Sequence, residues 1–166
     1  MKFDYECDDP DGLVIIDEAY LDELSNNELL YALDILLDKK GETELIYDFP
    51  GEDWPKVWER ETQNLRDFCN QGKMIIYLLK DDIKDCEVFE DTIQSNSMLN
   101  VISGNIMIVS AGEIIQCLAY PDVEMEKVLE VNMKSGKYLF KCDDMKRLSY
   151  YKTDVSAESL GNIIEF

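Results

Sequence analysis

The run CDDPDGLVIIDE, residues 7–18, joins a tight turn to an apolar segment. The turn signal is Pro10-Asp11-Gly12, because proline fixes one backbone angle while aspartate and glycine tolerate the others that a turn requires. The following LVII, residues 13–16, is rich in β-branched side chains and predicts a strand buried on both faces. This run therefore predicts a sharp entry into the core of a sheet.

The same run matches a calcium-binding EF-hand loop in part. Counted from Cys7, Asp9 and Asp11 fall at the third and fifth positions, and Glu18 falls at the twelfth. Calcium prefers hard oxygen ligands, whereas the first position here carries a thiol. Pro10 also stiffens a loop that would have to wrap around the ion. The turn accounts for the same residues, so we predict no metal site.

The charge of the chain limits its partners. The 166 residues are 46% apolar, which predicts one folded domain over residues 1–166, yet they carry 36 acids against 16 bases, a net charge of −20. Residues 1–60 alone have a net charge of −13. Such a charge repels phosphates, so we expect neither direct nucleic-acid binding nor attachment to an anionic membrane.

The residue types that are missing limit the chemistry. Histidine is absent, which excludes Ser-His-Asp and Cys-His nucleophile activation and His-ligated zinc. The five cysteines are widely spaced and form no CxxC pair, which indicates reduced thiols in a cytoplasmic protein. No nucleotide-binding loop or cofactor motif is present. An enzyme would have to rely on paired carboxylates or on a metal ion, so we predict a protein that is not an enzyme and has no cofactor.

Two long helices are predicted in the N-terminal half. The motif SNNE, residues 25–28, resembles a capping box and predicts a helix from about Asn26 to Lys39, after a short acidic helix at residues 17–24. A second long helix is expected from Pro55 to Gln71, with Asp53 as its N-cap and Gly72 as its stop.

The remainder of the chain predicts strands. Apolar or alternating runs lie at residues 43–49, 73–80, 82–92, 113–120 and 147–152, and two hairpins are predicted at residues 98–110 and 127–142. The predicted fold class is α+β, with a mostly antiparallel sheet or sandwich of about seven to nine strands.

The candidate binding residues are acids that border apolar elements, together with two tryptophans near a helix entrance. Folded neighbours would hold these carboxylates in fixed places, where they can mimic phosphates and attract a basic protein. Trp54 and Trp58 have helical spacing, so most of their area is expected in the core, but an exposed tryptophan among acids would be a binding anchor. The candidates are Asp8, Asp9, Asp11, Asp17, Glu18, Asp22, Glu23, Glu52, Asp53, Trp54 and Trp58.

This profile resembles the bacterial immunity proteins of polymorphic or contact-dependent toxin systems, which are small, acidic, cytoplasmic and without a catalytic constellation. The resemblance implies an inhibitor whose partner is a basic toxin, often a nuclease domain, blocked by occlusion of its active surface. Two alternatives stay open. One is an acidic regulator or nucleic-acid mimic that binds a DNA-binding protein, and the other is a carboxylate-dependent hydrolase or metal-assisted enzyme.

Overall fold

The computed structural model describes residues 1–6, 12–37, 53–79, 81–126, 128–143, 147–154 and 161–165. Within these ranges the fold is α+β, with ten strands in two mixed sheets and five α-helices. The strands are β1 Lys2–Tyr5, β2 Leu13–Asp17, β3 Met74–Leu78, β4 Ile83–Glu90, β5 Ser97–Val101, β6 Asn105–Ser110, β7 Val128–Asn132, β8 Gly136–Asp143, β9 Arg147–Thr153 and β10 Ile163–Glu165. The helices are α1 Leu21–Leu24, α2 Asn27–Leu37, α3 Trp54–Glu61, α4 Gln63–Asn70 and α5 Ala111–Ala119.

The two sheets have different positions in the molecule. The inner sheet has the order β10-β3-β2-β6-β7 and the outer sheet the order β1-β4-β9-β8-β5. All pairs are antiparallel except β10 with β3 and β4 with β9. One face of the inner sheet packs against the helices and its other face packs against the outer sheet. The molecule therefore has three layers, in the order helices, inner sheet and outer sheet.

The strand predicted from the opening run forms the centre of this arrangement. Val14 and Ile16 face the helices, whereas Leu13 and Ile15 face the outer sheet, and all four are buried. The apolar run at residues 73–80 gives β3, which is equally buried and pairs with β2. The prediction of strands buried on both faces is confirmed because each face has a packed layer of its own.

Both predicted hairpins are wrong. β5 belongs to the outer sheet and β6 to the inner sheet, so the turn at residues 102–104 carries the chain from one sheet to the other. The turn between β7 and β8 does the same in the opposite direction. Turn chemistry and alternation are the same for a hairpin and for such a crossing, so a local pattern does not distinguish them.

The segment predicted as a strand at residues 113–120 is the helix α5. Ser110 caps it, since its side chain accepts the N–H of Glu113 at 3.1 Å. Ala111, Ile114 and Cys117 form its buried side, which is a helical spacing. The number and the location of the helices thus differ from the prediction, because one of the five α-helices in the described residues lies in the C-terminal half of the chain.

The helix predicted over residues 55–71 is divided into α3 and α4 at Thr62. The Thr62 hydroxyl donates to the Trp58 carbonyl at 2.6 Å and accepts from Arg66 at 3.1 Å. A hydroxyl bonded to the carbonyl four residues earlier competes with the helical ladder and bends the helix. The predicted stop is confirmed, because Gly72 has a positive φ of 77° and its N–H bonds the Cys69 carbonyl.

The cap of α2 differs from the capping box that the motif predicts. The Asn26 side chain accepts the Glu28 N–H at 2.9 Å, while the Ser25 hydroxyl donates to the Asp22 carbonyl at 2.6 Å. Asn26 is therefore the residue that caps the helix. The end of this helix beyond Leu37 and the strand predicted at residues 43–49 lie outside the described residues.

Candidate functional site

Asp17 is the last residue of β2, and the structure corrects its assignment to a binding surface. Its side chain is fully buried. One carboxylate oxygen accepts the N–H groups of Ile102 and Ser103 at 2.6 and 3.0 Å, and the other accepts the Ala19 N–H and the Ser103 hydroxyl. Asp17 thus links the end of β2 to the turn that crosses between the sheets, and it is not available to a partner.

The residues after Asp17 carry the exposed acids, and we call residues 18–23 the acidic segment. Glu18, Asp22 and Glu23 are all exposed on it. Glu18 accepts from the Asn105 side chain at 2.6 Å, and both oxygens of Glu23 contact the Lys73 ammonium at 2.8 and 2.9 Å. Three of the predicted acids therefore lie together on a segment whose first turn is fixed by a buried anchor.

An exposed apolar side chain lies beside this segment and was not predicted. Ile102 is 60% exposed although its N–H is bonded to Asp17. This bond holds the turn at residues 102–104 next to Asp17, and Glu18 follows Asp17 directly in the chain. An exposed apolar side chain therefore lies close to the start of the acidic segment.

Some of the other predicted site residues lie within the described part of the chain, and others lie outside it. Asp53 is exposed at the N-cap position of α3, where its carboxylate pairs with Lys56 at 3.6 Å and makes no side-chain capping bond. Trp54 is the first residue of that helix, and its side chain lies outside the described part. The predicted residues Asp8, Asp9, Asp11 and Glu52 also lie outside the described residues.

Trp58 has a role inside the helical layer. Its indole N–H donates to the Leu36 carbonyl at 3.1 Å, and the Arg66 guanidinium covers the ring at 4.2 Å from its centre. The ring packs against the core beneath the inner sheet. The prediction of a binding anchor is therefore corrected, because α2 and Arg66 already occupy the surfaces that a partner would contact.

The structure also contains a cleft of about 730 Å³ that the sequence did not indicate. One wall is the whole of β1, the edge strand of the outer sheet. The opposite wall combines the end of β6, the first turns of α5 and the chain leading into β7. Its charged lining residues are Lys2, Asp4, Glu6, Glu113, Glu124 and Glu126.

Hydrogen bonds fix both walls of the cleft. The Glu113 carboxylate accepts the Glu126 N–H, which holds the segment before β7 against α5. The Asp4 carboxylate accepts the Asp85 N–H at 2.7 Å, where Asp85 has a positive φ of 54° and β1 shifts its register against β4. Such a bulge bends the strand at the edge of the sheet.

The buried thiols are poorly suited to nucleophilic chemistry. Cys69, Cys86, Cys117 and Cys142 form no disulfide bond within the described residues, and the first three are buried. Burial raises the pKa of the Cys86 thiol to about 11, and it also raises the pKa of Cys69. For Cys117, burial and then the charges of Glu113 and Glu126 raise the pKa. A nucleophilic thiolate requires the opposite shift.

Among the described residues, no three Cys, Asp or Glu side chains come together in an arrangement able to hold a metal ion. Within the same part of the chain, no helix combines the length and the apolar character needed to cross a lipid bilayer.

Comparison of the chain with protein-family models, with curated proteins and with solved structures finds no match.

Proposed function

We propose that this protein is an acidic inhibitor that neutralises a basic partner by binding it, as the immunity proteins that it resembles in profile do with their toxins. The observation that carries the proposal is the acidic segment itself, with the exposed carboxylates of Glu18, Asp22 and Glu23 on a backbone fixed by the buried Asp17. Carboxylates held in advance lose little conformational freedom on binding, so more of their interaction energy contributes to affinity.

The mechanism that follows is occlusion. The net charge of −20 draws a basic domain toward the protein over a distance of about one Debye length, roughly 8 Å at physiological salt. Glu18, Asp22 and Glu23 then occupy the Lys and Arg side chains that would bind the substrate of a nuclease. Ile102, in the turn bonded to Asp17, supplies an apolar contact next to the acidic segment.

The test uses charge reversal at two exposed acids. The wild-type protein is immobilised on a resin and incubated with an extract of its host at low and at moderate salt. We expect it to retain a basic protein, and we expect the double variant Glu18→Lys/Asp22→Lys not to retain that protein. The purified pair should then associate more slowly as salt rises, and addition of the inhibitor should stop the activity of the partner at equimolar ratio.

The matched control is Asp81→Lys/Asp91→Lys, which changes the net charge equally at two other exposed acids. Equal loss of binding in both double variants would mean that only total charge matters, and would contradict the role of the acidic segment. Recovery of a DNA-binding protein instead of a toxin would favour the nucleic-acid mimic, and failure to recover any basic protein would contradict the inhibitor.

One observation favours a second candidate, a carboxylate-dependent hydrolase. The cleft is concave and five carboxylates line it, as a pair of acid and base groups would require. This candidate predicts turnover of chromogenic glycosides or esters that Glu113→Gln and Glu126→Gln abolish. Absence of turnover across such a panel, with the inhibitor test positive, would assign the cleft to binding.

A further inference from the structure

The backbone of β1 has hydrogen-bonding groups that point into the cleft. Met1 and Val88 form a hydrogen-bonded pair. The Met1 nitrogen donates to the Val88 carbonyl at 3.1 Å, and the Val88 N–H donates to the Met1 carbonyl at 2.7 Å. In antiparallel strands such pairs alternate with pairs that exchange no bonds, and Phe3 is the next bonded residue. The backbone N–H and C=O groups of Lys2 and Asp4 therefore point away from β4.

These outward groups border open space among the described residues. β1 is the last strand of the outer sheet, and all of Lys2–Glu6 lines the cleft. The opposite wall is formed by other elements, so the space beside β1 is a slot between a sheet edge and a packed surface. A sheet edge of this kind is a template for an additional strand, which neighbouring proteins supply in β-strand addition.

The lining of the slot defines which strand fits. Asp4 and Glu6 lie on one wall and Glu113, Glu124 and Glu126 on the other, against the single base Lys2. Apolar groups also line the space, among them Val123, Val128 and Leu129. A strand has side chains on two faces, so a segment with basic and apolar residues in alternation would satisfy both kinds of lining.

Charge also decides against a second copy of this chain as the occupant. Pairing of two β1 edges would bring together two molecules that each carry a net charge of −20. The repulsion between two such charges opposes association of the copies. The complement of the slot is a partner with the opposite sign.

We propose that the cleft binds an extended basic segment of a partner protein, which adds to β1 as a sixth strand of the outer sheet. The inference rests on the proposed function only in that the partner is basic. It assigns a second contact, separate from the acidic segment, in which backbone hydrogen bonds give affinity and the carboxylates select Lys or Arg side chains. β1 has only four residues, which limits the added strand to a similar length.

The experiment measures binding of a blocked seven-residue peptide that alternates Lys and Val to the full chain by isothermal titration calorimetry. Two variants isolate the backbone contribution, Asp4→Pro and Asp4→Ala. Both lose the same carboxylate, but only proline loses the outward N–H, and an edge position tolerates it. We expect Asp4→Pro to bind the peptide about fivefold more weakly than Asp4→Ala, as the loss of one hydrogen bond predicts.

A second measurement holds the protein constant and so does not depend on the folding of a variant. The same peptide with alternate backbone nitrogens methylated keeps its charge but loses the N–H groups of one edge. We expect the wild-type chain to bind one of the two methylated registers at least about tenfold more weakly than the parent peptide.

The possible outcomes separate the two proposals. Equal binding of the parent and both methylated peptides would overturn strand addition and indicate attraction by charge alone. No binding of the parent peptide would overturn it as well. Neither result affects the inhibitor proposal, which is tested by recovery of a partner through the acidic segment.

Discussion

At the scale of single residues, Asp17 shows how an acid is stabilised inside this protein. Its two oxygens accept three backbone N–H groups and one hydroxyl, at the junction of β2, the acidic segment and the crossing turn. A buried carboxylate is tolerated where donors replace the water that it loses. The residue thus belongs to the framework that supports the acidic segment.

We predict that Asp17→Asn lowers the free energy of unfolding by about 2–4 kcal/mol, because the amide presents a donor toward groups that are themselves donors. Urea denaturation followed by circular dichroism measures the change. The exposed Asp22 provides the control, since Asp22→Asn should change stability by less than about 0.5 kcal/mol. Equal effects of the two substitutions would contradict the anchoring role.

The buried thiols give the protein a dependence on alkaline pH. Burial raises the pKa of Cys86 to about 11, above its ordinary value of 9.0. Between these two values the unfolded state loses the thiol proton while the folded state keeps it, so the unfolded state binds fewer protons and stability falls as pH rises. The contribution is fully present below pH 9 and is lost by about pH 11.

We therefore expect the urea midpoint to decrease from pH 8.5 to pH 10.5, measured under reducing conditions. Cys86→Ala should be less stable at pH 8.5 because of the cavity it leaves, but its midpoint should decrease less steeply over the same interval. A steeper decrease in the variant than in the wild type would show that this thiol does not contribute.

At the scale of elements, α5 explains how one wall of the cleft is positioned. Ser110 is both the last residue of β6 and the cap of α5, so the chain changes from strand to helix within one residue. The motif SAGE at residues 110–113 has the spacing of a capping box, and it is the signal that would have identified this helix. The segment at residues 113–120 was predicted as a strand because it contains Ile114 and Ile115 and is followed by Pro121.

We predict that Ser110→Ala lowers the free energy of unfolding by about 1 kcal/mol, because the Glu113 N–H loses its acceptor. Chemical denaturation provides the measurement. Ser135→Ala, at an exposed serine in the turn before β8, should leave stability unchanged within about 0.5 kcal/mol. If α5 holds the cleft as described, Ser110→Ala also weakens binding of the Lys-Val peptide.

At the scale of the whole molecule, Asn162 connects the layers. It is fully buried, and its side-chain amide donates to the carbonyls of Cys69, Met74 and Met98 at 2.8–3.0 Å. Its side-chain oxygen accepts the Met98 N–H at 3.0 Å. One residue thus joins the end of α4, the start of β3 in the inner sheet and β5 in the outer sheet.

We expect Asn162→Ala to lower the free energy of unfolding by about 3 kcal/mol or more, because several buried backbone groups lose their partner at once. Differential scanning calorimetry should show a lower transition temperature for this variant. Asn132→Ala, at an exposed position in β7, serves as the control and should behave as the wild type. A small effect at Asn162 would mean that packing alone holds the sheets together.

Sequence and structure agree best where the signal is local. The strands β2 to β9 were all predicted from apolar runs, alternation and turn signals, since burial of one or both faces is encoded in neighbouring side chains. Among the candidate acids, Glu18, Asp22 and Glu23 are exposed, whereas the neighbouring Asp17 is buried. The three-residue strand β10 was missed because so short a segment has no periodicity to detect.

By itself, the sequence determined the α+β composition, the buried central strand after the Pro-Asp-Gly turn and the excess of negative charge. These properties depend on residue type and on spacing over a few positions. Only the tertiary structure decided that both predicted hairpins cross between sheets, that Asp17 is buried, and that residues of β1, β6, α5 and β7 line one cleft. Those outcomes depend on pairing between segments that are distant in the chain. The packing of whole layers determines which donors lie next to Asp17 and which edge of β1 has no neighbouring strand among the described residues.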